Sequence, residues 1–232
     1  MRGLSGLALA LLLAGSAVAA PETVDTALVL AVDVSGSVTS ARYKLQMEGL
    51  ARAFEDPGVR AAILNGASHS MLVSLVEWSD RPTLSIPWSL LTRPEDIDAF
   101  AKRIRGTQRA SGDFTCMARA LDFVADKVLP FLPAPTQHKV VDVSGDGRDN
   151  CNPERTTDAV RADLVATGVT INGLPILEGD EKDTLADWYR LHVIGGDGAF
   201  ELPANGFADF ERAMEQKFRE EISEAGRRAT IR

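Results

Sequence analysis

The chain is poor in the residues that mark hydrolases and nucleic-acid-binding proteins. It has only three histidines, His69, His138 and His192, which stand in unrelated contexts, and it has no Gly-x-Ser-x-Gly elbow, so no serine-hydrolase machinery can be assembled from it. Two cysteines are present, Cys116 and Cys151, and neither has a histidine nearby in sequence to activate it as a nucleophile. Lys and Arg never cluster in a run, and the formal net charge is -8, so neither nucleic acid nor an anionic lipid surface finds a basic patch. Beyond the N-terminal leader no apolar stretch approaches the ~20 residues needed to span a bilayer. Internal repeats and low-complexity linkers are missing as well. Gly195-Gly196-Asp197-Gly198 lacks the preceding strand and the directly following helix of a nucleotide fingerprint, and reads as a turn.

What is present begins with a leader. Arg2, the apolar stretch from Leu4 to Leu13, and Gly15-Ser16-Ala17-Val18-Ala19 read as a secretory signal peptide, residues 1–19, with the mature chain starting at Ala20. Cleavage one residue later would put Pro21 first, which signal peptidases disfavour, and no cysteine is near enough to make a lipoprotein. The expectation is an exported protein, periplasmic or secreted, with no integral membrane segment once the leader is removed. About 210 residues remain, enough for one α/β domain over 20–232.

Apolar runs and helical periodicities alternate along that domain. Strands are expected at about Thr26 to Val32, Met71 to Trp78, Thr83 to Trp88, His138 to Val143, Val169 to Leu177 and, briefly, Ala199 to Leu202. The helices are expected from Ser40 until Asp56-Pro57-Gly58 stops the first, then at Glu95 to Ile104, from Met117 to Pro130, at Thr156 to Ala166, at Thr184 to His192, and over a final face of Phe207, Phe210, Met214, Phe218 and Ile222. This order predicts a doubly wound, mainly parallel sheet with helices on both faces and one antiparallel edge strand, made by the hairpin at Ser79-Asp80-Arg81-Pro82. Ligand sites of such sheets lie beyond the carboxyl ends of the strands.

Chemistry is concentrated at those ends. Asp33-Val34-Ser35-Gly36-Ser37 closes the first strand and puts three hard oxygens on one turn, a donor set for Mg²⁺, Mn²⁺ or Ca²⁺. Further oxygens are needed to complete a coordination sphere. Ser111-Gly112-Asp113-Phe114-Thr115, opening a helix, and Val143-Ser144-Gly145-Asp146-Gly147, closing a strand, can supply them.

Asp-x-Ser-x-Ser, a Thr at a helix start and Asp-Gly after a strand together resemble the von Willebrand factor A-domain with its metal-ion-dependent adhesion site. The resemblance covers essentially the whole mature chain. It implies a Rossmann-like fold and a metal site of Asp33, Ser35, Ser37, Thr115 and Asp146, holding one divalent cation, Mg²⁺ first, with Mn²⁺ and Ca²⁺ as alternatives. It implies, too, that the ion bridges to an Asp or Glu carboxylate of a protein partner and is not a catalyst. Trp188-Tyr189-Arg190, Val193 to Gly196 and Gly198-Ala199-Phe200 further resemble a group of uncharacterised secreted bacterial members, a likeness that carries no activity.

The same resemblance places Cys116 beside Thr115 and Cys151 just beyond Asp146, so in an oxidising compartment a disulfide is expected between them, with two free thiols as the alternative. Trp88, the loop at Gly106 to Gly112, and Arg148 to Pro153 are expected to border the metal face. Asp142 interrupts an apolar strand and needs a buried partner, for which Arg119 and Arg148 are candidates. Asp113 and Asp149 read as solvated loop residues or supports of the ligands. A phosphatase of the haloacid dehalogenase type also starts from an aspartate at the end of strand one, but it needs a second aspartate where this chain has Ser35. The expected function is metal-dependent protein binding and not enzymatic; an assembly subunit using a metal-independent face is the runner-up, and a metal-dependent hydrolase ranks last.

Overall fold

The computed structural model describes residues 23–151 and 154–229, so the expected leader and the junction at Ala20 lie outside the described residues. Five strands, β1 (Val24–Asp33), β2 (Met71–Trp78), β3 (Thr83–Leu91), β4 (Thr136–Gly145) and β5 (Val169–Pro175), form one sheet in the order β3-β2-β1-β4-β5. β1 runs parallel to β2 and β4, β4 parallel to β5, and β3 lies antiparallel on the edge of β2. The expected fold class is therefore what the chain forms. Pro87, which has no N–H to give a ladder, is tolerated because β3 is an edge strand.

The helices are α1 (Ser40–Glu55), α2 (Pro57–Leu64), α3 (Pro94–Gly106), α4 (Met117–Phe123), α5 (Thr157–Ala166), α6 (Leu185–His192) and α7 (Phe210–Ala229). β1 shows why its sequence is apolar throughout. Leu28, Leu30 and Val32 pack on one side with α1, α2, α3 and α7, while Val29 and Ala31 pack on the other with α4, α5 and α6. Gly49 lets α1 and α7 approach closely, since a Cβ there would stand 2.8 Å from a ring carbon of Phe210. β1 is also where strand order reverses, with β2 and β3 to one side and β4 and β5 to the other. The crevice beyond the carboxyl ends of β1 and β4 is thus the expected ligand position of this topology.

Several sequence expectations need correction. Asp56-Pro57-Gly58 ends α1 but also starts α2: Asp56 Oδ1 accepts from Val59 N at 3.0 Å, and Pro57 occupies the first turn, where its missing N–H costs nothing. The helix expected to run unbroken from Met117 to Pro130 is α4 followed by a π-helical turn, Val124–Val128, and a 3-10 turn, Leu129–Phe131. Pro130 explains this, because it offers no N–H to the carbonyl four residues back and crowds it. The short strand near Ala199 to Leu202 is only a set of single bridges, Glu201 with Gly173 and Ala204 with Ile176, interrupted by Pro203.

Asp142 is paired neither with Arg119 nor with Arg148. Its partner is Lys217, at 2.6 Å, a residue of α7 with no exposure at all. Lys217 is also paired with Glu221.

Candidate metal centre

The turn after β1 is built by Asp33 itself, whose Oδ1 accepts from Ser35 N at 2.7 Å, while Gln46 Nε2 holds the Asp33 carbonyl at 3.1 Å. The Ser35 and Ser37 hydroxyls lie 3.3 Å apart. Thr115 Oγ1 donates to Ser35 Oγ at 3.3 Å, and Ser37 Oγ donates to Asp146 Oδ1 at 2.6 Å. The five residues singled out from the sequence are thus one hydrogen-bonded cluster at the reversal of strand order. Asp33, Ser35, Thr115 and Asp146 are buried, and Ser37 forms the exposed rim. Thr115 does not serve as a plain helix cap: the N-cap of α4 is Cys116, and the Thr115 hydroxyl faces the serines.

The electrostatics of the cluster are unbalanced. Asp33 is wholly buried, its Oδ2 has no hydrogen-bond partner, and burial, with the Asp146 charge second, pushes its carboxyl up to about 7. Burial raises Asp146 as well. The cation closest at hand is Arg42, a residue the sequence reading passed over. One of its nitrogens is 3.7 Å from Asp146 Oδ2 and donates to the Ser37 carbonyl at 2.7 Å, but its other nitrogen is paired with Glu178. No described cluster of three or more His, Cys, Asp or Glu side chains could hold a metal ion. Two carboxylates and three hydroxyls are instead a hard-oxygen set, and the Asp33 carboxylate, wholly buried beside Asp146 with no cation paired to it among the described residues, fits a hard divalent ion.

The second and third loops are tied together. Cys116 and Cys151 form a disulfide with Cα atoms 5.1 Å apart, Thr115 N donates to Asn150 Oδ1 at 2.8 Å, and Asn150 N returns a bond to Thr115 O at 2.9 Å. Asp149 is no solvated bystander: its carboxylate accepts from Ala118 N at 2.9 Å, at the start of α4, and from Cys151 N at 3.1 Å. The Asp113 carbonyl accepts from Gly36 N at 3.1 Å, and Arg109 donates to the Val34 and Ser35 carbonyls at 2.9 and 3.0 Å. The Gly106–Gly112 loop therefore buttresses the first ligand loop from behind. Trp88 does not border this face. It lies on β3 between Ile86 and Ser89, which pair with Leu75 and Val73, it packs toward Val24, Ala27 and Leu72, and its indole N–H donates to the Val128 carbonyl at 3.1 Å. Phe114, next to Thr115, is 55% exposed and supplies an apolar surface there that the sequence reading did not single out.

A family described as "Protein of unknown function (DUF1194)" matches residues 23–226. The chain belongs to the DUF1194 family. The search of curated proteins returns no match. Among solved structures, this DUF1194 chain is similar to proximal thread matrix protein 1 (PTMP1) from the mussel byssus, described with a zinc-occupied MIDAS motif, at 16% identity and a TM-score of 0.62, covering 85% of this chain and 46% of that one. It is similar to a von Willebrand factor type A protein from Catenulispora acidiphila, at 16% identity and a TM-score of 0.56 over 87% of this chain and 43% of the other. The pilus adhesin SpaC from Lactobacillus rhamnosus GG matches at 14% identity and a TM-score of 0.61, over 86% of this chain and 30% of the adhesin. The DUF1194 chain spans less than half the length of each of these proteins, and the likeness is one of fold: the domain is von Willebrand factor A-like.

Proposed function

We propose that the protein is an exported adhesion-type domain that holds one divalent cation at Asp33, Ser35, Ser37, Thr115 and Asp146 and binds a protein partner offering an Asp or Glu carboxylate. The observation that carries this reading is the wholly buried Asp33 carboxylate, set beside the charge of Asp146 with no cation paired to it among the described residues. A buried, uncompensated carboxylate is costly, and a bound cation removes that cost. PTMP1, with its zinc-occupied motif, supports a divalent ion on this fold. Mg²⁺ comes first for a set of hydroxyls and carboxylates, with Mn²⁺ and Ca²⁺ behind it.

When bound, the ion supplies positive charge and an exchangeable position that a partner's carboxylate can take. The chain's residues prepare that position. Asp33 and Asp146 offset the ionic charge, the three hydroxyls present neutral oxygens, and the disulfide with the Thr115–Asn150 bonds holds the second loop against the third. Exposed Ser37 and Phe114 flank the face that a partner meets.

Calorimetric titration of the metal-free domain with Mg²⁺ and Mn²⁺, beside an Asp33→Ala variant, tests the reading. One saturable site per chain, lost in the variant, is expected. Titrations that stay flat for the unmodified domain would end the adhesion mechanism while leaving the fold untouched.

A further inference from the structure

Three buried polar atoms of residues packed around the Asp33 carboxylate have no hydrogen-bond partner: Asp33 Oδ2, the Tyr189 hydroxyl and Trp78 Nε1. Tyr189 and Trp78 are both wholly buried, and both pack in the core cluster on the α4–α6 side of the sheet, the side to which Asp33 points. Trp78 is level with Asp33 across the β1–β2 ladder. Tyr189 comes from α6, out of the Trp188-Tyr189-Arg190 segment that the proposed metal site does not use. Gly145 marks how tightly they converge. A Cβ on that residue would stand 2.8 Å from Asp33 Oδ2, 2.9 Å from the Tyr189 hydroxyl and 3.0 Å from Trp78 Cζ2, so only glycine leaves the three groups room to face one another.

Chance does not readily strand an acceptor and two donors in one apolar layer, because each unpaired group forfeits the hydrogen bonds that water would have given it. Their chemistries are complementary. A carboxylate oxygen accepts, an indole N–H only donates, and a phenol can donate. Burial, followed by the charges of Asp33, Asp146 and Asp142, holds the Tyr189 hydroxyl far above its ordinary range, so it stays a neutral O–H facing a carboxylate.

We propose that Tyr189 is a positioning residue of the metal centre: its hydroxyl, through a single water shared with the Trp78 indole N–H, hydrogen-bonds the inner oxygen of Asp33, Oδ2, and aims the outer one at the ion. The role rests on the reading of Asp33 as a metal ligand, and it gives Trp78, Gly145 and Tyr189 one shared purpose. A ligating carboxylate held from behind in this way loses less rotational freedom when it binds.

Tyr189→Phe is the test, since it keeps the ring in the core and removes one oxygen. Mn²⁺ affinity measured by calorimetry is expected to fall about tenfold, with the melting temperature of the metal-free protein within a few degrees of the parent. Trp78→Phe should weaken binding less. Equal Mn²⁺ affinity in the parent and Tyr189→Phe would overturn the role and leave the metal site standing. Should the parent bind no Mn²⁺, the metal reading fails by itself and a metal-free measurement decides the contact. The chain has two tyrosines, so ring-labelled tyrosine gives two sets of NMR signals, and Tyr189→Phe assigns them. Asp33→Asn is expected to shift the Tyr189 set and leave Tyr43 unmoved; a Tyr189 set indifferent to Asp33→Asn overturns the hydrogen bond.

Discussion

Two clusters of buried acid sit on this one sheet, and they are solved in opposite ways. On the α7 side, Asp142 and Glu221 close on Lys217, which is fully buried, lies 2.6 Å from Asp142 and sits 5.1 Å from the Phe200 ring centre. Asn172 adds a bond to Glu221 at 2.5 Å and accepts the Phe200 N–H at 3.0 Å. At the carboxyl edge, Asp33 has no cation paired with it among the described residues, and Arg42 reaches Asp146 Oδ2 while committed to Glu178. Burial raises Asp142 and Asp33 alike. The difference is that the first cluster carries its counter-ion in the chain, and the second presents an open demand for one. A fold that can bury Lys217 for Asp142 has the means to neutralise Asp33 internally, and the proposed function takes the bare Asp33 as a demand met by a cation from outside.

The sharpest break of that contrast is Lys217→Met. It strands two buried carboxylates and is expected to cost about 3–5 kcal/mol in chemical denaturation, whereas adding Asp142→Leu and Glu221→Leu should recover most of the loss. The metal edge should behave in reverse. Metal-free Asp33→Asn is expected to be no less stable than the parent, because it removes a charge without a partner. Mg²⁺ at a hundredfold excess over its Kd should then stabilise the parent by about 2.7 kcal/mol and leave Asp33→Ala unmoved in thermal melts. Equal stabilisation of both proteins would place the ion elsewhere.

How much of this was legible beforehand follows the same division. That these residues cluster could be read because they come in short motifs at strand ends, Asp33 to Ser37, Thr115, and Asp146, and strand ends are recognisable from apolar runs alone. The Lys217 cluster could not be read. Arg119 and Arg148 were the candidates for Asp142, but the partner is set by how α7 docks. A signal was nonetheless present: Lys217 occupies the seventh position after Phe210, on the stripe that Phe210, Met214 and Phe218 bury. A cation on a buried helical stripe and an acid in a buried strand each lack a partner, and pairing them would have found the contact. Tyr189 and Trp78 were hidden for a different reason, since aromatic residues at core spacing look like packing until their polar atoms are followed. α2 was missed through a local oversight, because Asp56-Pro57 is an N-cap followed by a first-turn proline as much as it is a stop.

Proton linkage gives a smaller effect that still separates the clusters. Asp33 lies at about 7 in the fold against 3.8 ordinarily, so between those values the metal-free native state holds a proton that the unfolded chain does not. Stability from this group is therefore lost as pH rises from about 4 toward 7, and a saturating cation should flatten that slope in pH-resolved melts. Mn²⁺ must displace the proton, so its affinity is expected to drop by about tenfold per unit as pH falls below about 7. A pH-independent Mn²⁺ affinity would mean that Asp33 is already charged and compensated.

Arg42 provides the finest adjustment, because it is the cation paired with Asp146 among the described residues. Its guanidinium is 3.7 Å from Asp146 Oδ2 and 30% exposed, and Glu178 offsets much of its charge, so its repulsion of an incoming ion is partly screened. Arg42→Gln retains a hydrogen-bond donor toward the Ser37 carbonyl and removes the charge. Mg²⁺ affinity is expected to rise by about two- to threefold in calorimetry at low ionic strength, with the gain fading as salt is added. A loss of affinity would instead make Arg42 a brace of the Ser37 loop, its bond to the Ser37 carbonyl outweighing its charge, and the edge would then depend on a resident cation after all.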